Sequence, residues 1–308
     1  MASDFRVGLV GVVAALTALG VVTAGCGHRE TPAGPAPSTM EVSTAEIAAP
    51  TPTQTDVNGN GKPDGDPSDE DWPGKMTVVY EDATTPDAIR GRKLMQDANL
   101  LPQLADDINA TLKLPYDIPL KGSQCDEPND FWSPSDQAMT MCYEDVANSL
   151  DIYRRLGDED PEQGAFNEAM AAFYHETGHM VIDVYQLPAL GREEDVADQA
   201  SVYLLMRPDD EGNYDKGSVQ AVLDSARWFE AMNDDDGGWT DPEMMADPHS
   251  PDKARMYDMV CWVYGADPDD TGDVVAAKLL PEQRAEQCGF EYQKLDRAWS
   301  TLLHPYLK

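Results

Sequence analysis

The strongest constraint in the sequence is one run, residues 160–187, that reads as a single long helix. Asp160 suits the N-cap, Pro161 the first helical position, and Gln163 completes a box-like start. Phe166, Met170, Phe173, Tyr174, Val181 and Val184 recur at helical spacing until Leu187-Pro188 stops the run. Inside this helix stands His175-Glu176-Thr177-Gly178-His179, the pattern H-E-x-x-H. Residues four apart project from one face, so both imidazoles can reach one metal ion at about 2.0–2.1 Å. Glu176 lies beside them, placed to take a proton from a metal-bound water. The fold must therefore bury an amphipathic helix while keeping its two histidines within reach of a third ligand.

Around that helix the patterning predicts an α+β domain, mostly helical with a small sheet. Residues 76–80 and 138–144 read as strands, and 114–120 as an extended, Pro-bounded segment. Residues 87–113 read as helix interrupted near Pro102, and 145–156 as helix. Further helices are expected over 192–206, 217–232, 252–264 and 281–302, with a long acidic loop over 234–251.

Two histidines and an adjacent glutamate leave room for one more protein ligand and an open position. Glu194 and Asp198 follow in GREEDVAD at the start of the next helix and share a face. Glu193 and Asp195 are near enough to compete for the ligand role, and Gly191 is placed to reverse the chain. A third histidine at metzincin spacing is absent. The pair Glu194 and Asp198 resembles the E-x-x-x-D of gluzincin metallopeptidases, the thermolysin-like group. That resemblance implies Glu194 as third metal ligand and Asp198 as the carboxylate that orients His175.

A broader resemblance spans most of residues 76–304. LPYDIPL, NDFWSPSDQAMTMCYE, HETGHMVIDVYQLPALGREEDVADQ and ARMYDMVCWVYGADP are similar to an uncharacterised family of bacterial metallopeptidases. It implies a zincin-like fold, a bound Zn2+ and hydrolysis of a peptide or protein substrate. In such enzymes an edge strand near the metal pairs with an extended substrate, and 138–144 is expected to fill that role. His249, Tyr257 and Arg255 are the candidates for steadying a developing oxyanion, with His249 set against an ordinary loop role. His304 reads as structural or exposed.

The flanks set the compartment. Residues 1–25 read as a signal peptide: Arg6, then an apolar run from Val7 to Val22, then small residues before Cys26. The cut before Cys26 resembles a lipobox and would leave that cysteine acylated, anchoring the chain to a membrane outside the cytoplasm. The rival is an uncleaved anchor, for which the apolar run is short. Residues 26–74 are Pro-, Thr-, Ala- and Gly-rich and are expected to form a tether, leaving 75–308 as the folded domain. Within the tether, Asp56, Asn58, Asn60, Gly61 and Asp64 match the start of an EF-hand-like loop, a candidate Ca2+ site. Pro67 stands where its closing carboxylate belongs. In an oxidising space the remaining cysteines should pair, and short loops favour Cys125–Cys142 and Cys261–Cys288.

With 22 Lys+Arg against 57 Asp+Glu, the formal net charge of −35 excludes a nucleic-acid partner, because no basic surface faces phosphate. The expectation is a zinc-dependent peptidase. Its rivals are a non-catalytic, metal-binding surface lipoprotein that binds other proteins and a calcium-dependent adhesion module.

Overall fold

The computed structural model describes residues 72–209, 211–232 and 246–308. The expected signal peptide, the lipidation site Cys26, all but the end of the tether and the calcium candidates Asp56, Asn58, Asn60 and Asp64 lie outside the described residues. Among those described, no helix is long and apolar enough to cross a membrane.

The fold is mostly helical α+β. Strands β1 (Met76–Tyr80), β2 (Ile118–Ser123), β3 (Asp130–Ser133) and β4 (Ala138–Cys142) form one sheet in the order β1-β2-β4-β3. The β1–β2 and β2–β4 pairs are parallel, whereas β3 runs antiparallel to β4. A parallel β1–β2 pair needs a crossover. Helices α1 (Pro86–Asp97) and α2 (Leu100–Thr111) supply it, with the break at Ala98-Asn99 and Pro102 in the new first turn. Asn99 takes a left-handed conformation there, with φ 51°.

Two strand expectations are corrected. The run 138–144 is strand only to Cys142, because α3 (Tyr143–Leu156) begins at once. Glu144 and Asp145 occupy its first turn, where a helix favours acidic side chains, and Glu144 accepts hydrogen bonds from the Cys125 and Asp126 amides. β4 also lies between β2 and β3, so it is not an edge strand; the edge on that side, against α4, is β3. That short, partly polar strand shows little alternation and was not expected from the pattern.

Helix α4 (Pro161–Val184) carries the histidine motif. Asp160 caps it, accepting from the Gln163 amide at 3.1 Å. The reciprocal half of the box does not form: the Gln163 side chain donates instead to Asn167 at 2.8 Å. Asn167 passes the chain of bonds on to Asp224 at 2.7 Å. α4 stops ahead of Leu187-Pro188, with Gln186 at φ 51° and Gly191 at φ 97° turning the chain. Then follow α5 (Glu193–Leu205), α6 (Lys216–Met232), α7 (Asp252–Ala266), the short α8 (Pro268–Thr271) and α9 (Asp273–Ala276), and α10 (Glu282–Leu303). His304 is exposed in the final turn.

α4 packs against α3, α5, α6 and the edge strand β3, which explains why it is buried on nearly every side. Two disulfides staple the periphery as expected: Cys125–Cys142 and Cys261–Cys288. The first ties the loop ahead of β3 to the end of β4, and the second joins α7 to α10.

Gly178 lies directly against α5. A Cβ added there would sit 2.9 Å from both the Ala197 Cα and the Ala200 Cβ. Gly178→Ala would gain about 0.5–1 kcal/mol from helix propensity. Overpacking against a neighbouring backbone costs about 1–3 kcal/mol and should win. Urea denaturation should therefore show the variant less stable than wild type; greater stability would mean the two helices do not meet as closely as described.

Candidate metal centre

The α4–α5 contact sets the distance between the two halves of the site. From α4, His175 Nε2 and His179 Nε2 lie 3.2 Å apart. From α5, Glu194 Oε2 lies 3.2 Å from each of them. Among the described residues this is the one group of metal-type ligands whose donor atoms converge.

The outer nitrogens fix what these three atoms are. His175 Nδ1 lies 2.8 Å from Asp198 Oδ1, and His179 Nδ1 lies 2.9 Å from Glu193 Oε1. A carboxylate only accepts, so each Nδ1 donates, and in the neutral imidazole each Nε2 then presents a lone pair. Two lone pairs and a carboxylate oxygen thus face one another across a triangle. A positive charge at its centre is what makes such an arrangement stable. One proton can lie along only one side of the triangle, whereas a metal ion meets all three. Ligands about 2.0–2.1 Å from a tetrahedral ion sit about 3.3 Å apart, close to the spacing found here. The donor set fits a divalent metal.

Electrostatics follow the same logic. Burial pushes His175 down, but hydrogen bonds to Asp198 and Glu194 outweigh it and lift the imidazole to about 9. Burial opposes ionisation of Glu194, yet contacts with His175, His179 and His249 hold it well below the ordinary carboxylate range. Asp198 is similarly depressed against its burial, by Arg255 and His175.

Asp198 is gripped from behind. Arg255 Nε and Nη2 donate to its two oxygens at 2.8 Å each, and the guanidinium lies over the Phe229 ring at 4.1 Å. Arg255, one of the oxyanion candidates, is thus committed to holding the carboxylate behind His175. Glu193, a rival for the ligand role, lies behind His179, and Asp195 is outside the converging group.

Glu176 is buried beside the triangle. Its Oε2 accepts from the Trp132 amide of β3 at 2.8 Å, and its Oε1 lies 3.9 Å from His175 Nε2. Burial raises its pKa, against the pull of the two imidazoles and the Trp132 amide. His249 reaches the site from the loop before α7, with Nε2 3.1 Å from Glu194 Oε2 and Nδ1 3.0 Å from Asp247. Arg192 holds that loop, donating to the His249 carbonyl at 2.6 Å. The contact with Glu194 raises the His249 pKa, and burial only partly offsets it. Tyr257 is not among the residues lining the cleft, and its ring instead carries the Lys253 ammonium at 5.6 Å.

A cavity of about 200 Å3 opens beside Glu176 and His175. Its walls include three carboxyls that the sequence reading did not single out: Asp130, Asp145 and Glu168. Glu168 was within reach of a pattern argument, since it precedes His175 by two turns on the same face of α4. The Trp132 amide had no signal in the sequence, because a backbone donor is placed by the sheet. A larger hollow, about 420 Å3 under Leu94, Leu150 and Phe166, lies apart from these groups.

A carboxylate behind a metal-binding imidazole typically changes metal affinity about 10–100-fold. Asp198→Asn should therefore weaken metal binding by that factor in competition with a chelating dye. Unchanged affinity would mean that the His175–Asp198 bond does not tune the site.

A family model described as "Putative metallopeptidase" matches residues 80–303. No curated protein and no solved structure matches the chain.

Proposed function

We propose that this chain, which belongs to that metallopeptidase family, hydrolyses peptide bonds with a zinc ion held by His175, His179 and Glu194. The observation that carries this reading is the triangle of electron-pair donors with Glu176 beside it. Two imidazoles and one carboxylate make a three-ligand set, the kind that keeps a coordination position open, and with a glutamate beside it such a set suits zinc. When bound, zinc would supply Lewis acidity, making a water more acidic and polarising the scissile carbonyl.

The chain's own residues do the rest. Trp132 holds Glu176 by Oε2, leaving Oε1 to receive the proton of the attacking water. From the same oxygen that proton passes to the departing amine nitrogen. Asp198 keeps the His175 proton on Nδ1, and Glu193 does the same for His179. His249, whose ring nitrogens face Glu194 and Asp247, would meet negative charge developing on the carbonyl oxygen by turning Nε2 from Glu194 to the substrate. An extended peptide would add to the outer edge of β3, since β4 is covered on both sides.

The proposal extends to place. A signal peptide cut before Cys26 would leave a lipid-anchored enzyme outside the cytoplasm, with residues 26–74 as its tether. The two disulfides support an oxidising compartment.

The test is Glu176→Gln. Loss of general acid–base catalysis should lower kcat about 10²–10⁴-fold on a mixed peptide library read by mass spectrometry. Bound zinc, measured by elemental analysis, should stay at one per chain in both proteins. Equal cleavage by the variant, or no cleavage by the zinc-loaded wild type, would contradict the reading.

A further inference from the structure

The cavity beside the metal centre gathers buried carboxyl groups, two of which have an oxygen without a hydrogen-bond partner. Glu168 on α4 is only 5% exposed, and its Oε2 has no hydrogen-bond partner. Asp145 on α3 is 9% exposed. Asp130 on β3 accepts from the Cys142 amide through Oδ1 at 2.7 Å, but its buried Oδ2 has no partner. Three secondary-structure elements thus bring three carboxyls to one small space. Arg255 lines the same cavity, but its Nε and Nη2 donate to Asp198, and with His175 it only partly offsets the charge at Glu168.

Burying unpaired carboxyls is costly: on their own they meet that cost by holding protons, and an arriving cation would meet it instead. The cost is visible here: burial, then repulsion from Asp145, pushes Glu168 up to about 8. Burial alone lifts Asp145 to about 6, and burial plus its acidic neighbours raise Asp130 well above the carboxylate range. The countercharge is not a bare metal ion. These carboxyl oxygens do not converge as the ligands of the neighbouring centre do, and they form no metal-type group. Carboxyls spread around a cavity match a cation that spreads its donors, such as an ammonium with three N–H groups or a guanidinium with five.

The remaining walls fit the stem of such a group. Ala172, Trp228, Phe229 and Met259 line the same cavity, so apolar surface and the acidic groups share its walls. Lysine and arginine have that construction, an aliphatic stem with a charged head. About 200 Å3 lies below the usual range for drug-sized ligands, on the scale of a single side chain. His175 and Glu176 form one wall, so a side chain seated here belongs to a residue next to the bond being cleaved.

We propose that this cavity is the specificity pocket for a lysine or arginine side chain of the peptide substrate, with Glu168, Asp145 and Asp130 receiving its cationic head. This inference rests on the peptidase reading for the word substrate, but the pocket can be tested without catalysis.

The first experiment is calorimetric titration of the metal-free protein with acetyl-argininamide, acetyl-lysinamide, acetyl-norleucinamide and alaninamide. The two basic probes should bind at least about tenfold more tightly than the norleucine probe, the size of effect expected for buried charged hydrogen bonds. Glu168→Gln and Asp145→Asn, each nearly isosteric, should each erase most of that preference; either alone suffices if the other fails to fold. Equal binding, no binding by the basic probes, or a preference that survives both substitutions would overturn the pocket. Alaninamide binding as tightly as the arginine probe would overturn it too, in favour of a free α-ammonium. Cleavage mapping separates the two ideas. Cleavage with no basic residue favoured beside the cut removes the pocket and leaves the peptidase reading intact. Arginine binding without any cleavage leaves the pocket and removes the peptidase.

Discussion

Three electron-pair donors, His175 Nε2, His179 Nε2 and Glu194 Oε2, are held 3.2 Å from one another, and much of the structure exists to keep them there. Left to themselves such atoms repel. They are pinned from the far side: Asp198 and Glu193 accept hydrogen bonds from the Nδ1–H groups of the two imidazoles, and Arg255 fixes Asp198 through both oxygens. A positive charge at the centre then converts a repulsive arrangement into a binding site. The packing is subordinate to this geometry. Small residues at Gly178, Ala197 and Ala200 let α4 and α5 approach closely enough for ligands on two helices to meet.

The same logic of displaced charge runs through the neighbouring cavity. Around the metal ligands every carboxylate has a partner: an imidazole, a guanidinium or a backbone amide. A turn or two away along α4, Glu168 has an oxygen with none, and Asp130 from β3 repeats the pattern. Unpaired buried carboxyls in a cleft otherwise so fully paired point outward, to the molecule the cleft receives.

Much of this was legible in the sequence, and the limits have physical causes. The α4 helix and its cap could be read because N-cap chemistry, proline placement and apolar periodicity agree there. Helical spacing put Glu194 and Asp198 on one face, the pairing of Asp198 with His175 was implied by the resemblance to gluzincins, and the disulfides follow from short loops. What could not be read depends on three-dimensional neighbours. Gln163 left its expected capping partner because Asn167 and Asp224 offered a buried chain of hydrogen bonds. β3 is four residues of mixed polarity, too short for alternation to speak. The central position of β4 follows from strand order, which the run 138–144 does not encode. Arg255 looked like a group for substrate, but Asp198 claimed it through a contact between α5 and α7. The buried carboxyls were hidden among so many acidic residues that no single one stood out.

The central claim is that the triangle of donors exists to hold one divalent metal ion. Anomalous diffraction at the zinc edge, from crystals of the full-length protein grown with zinc, tests it most directly. One strong peak is expected about 2.0–2.2 Å from each of His175 Nε2, His179 Nε2 and Glu194 Oε2. A protein that takes up no zinc, or a peak placed elsewhere with the three side chains turned apart, would contradict it.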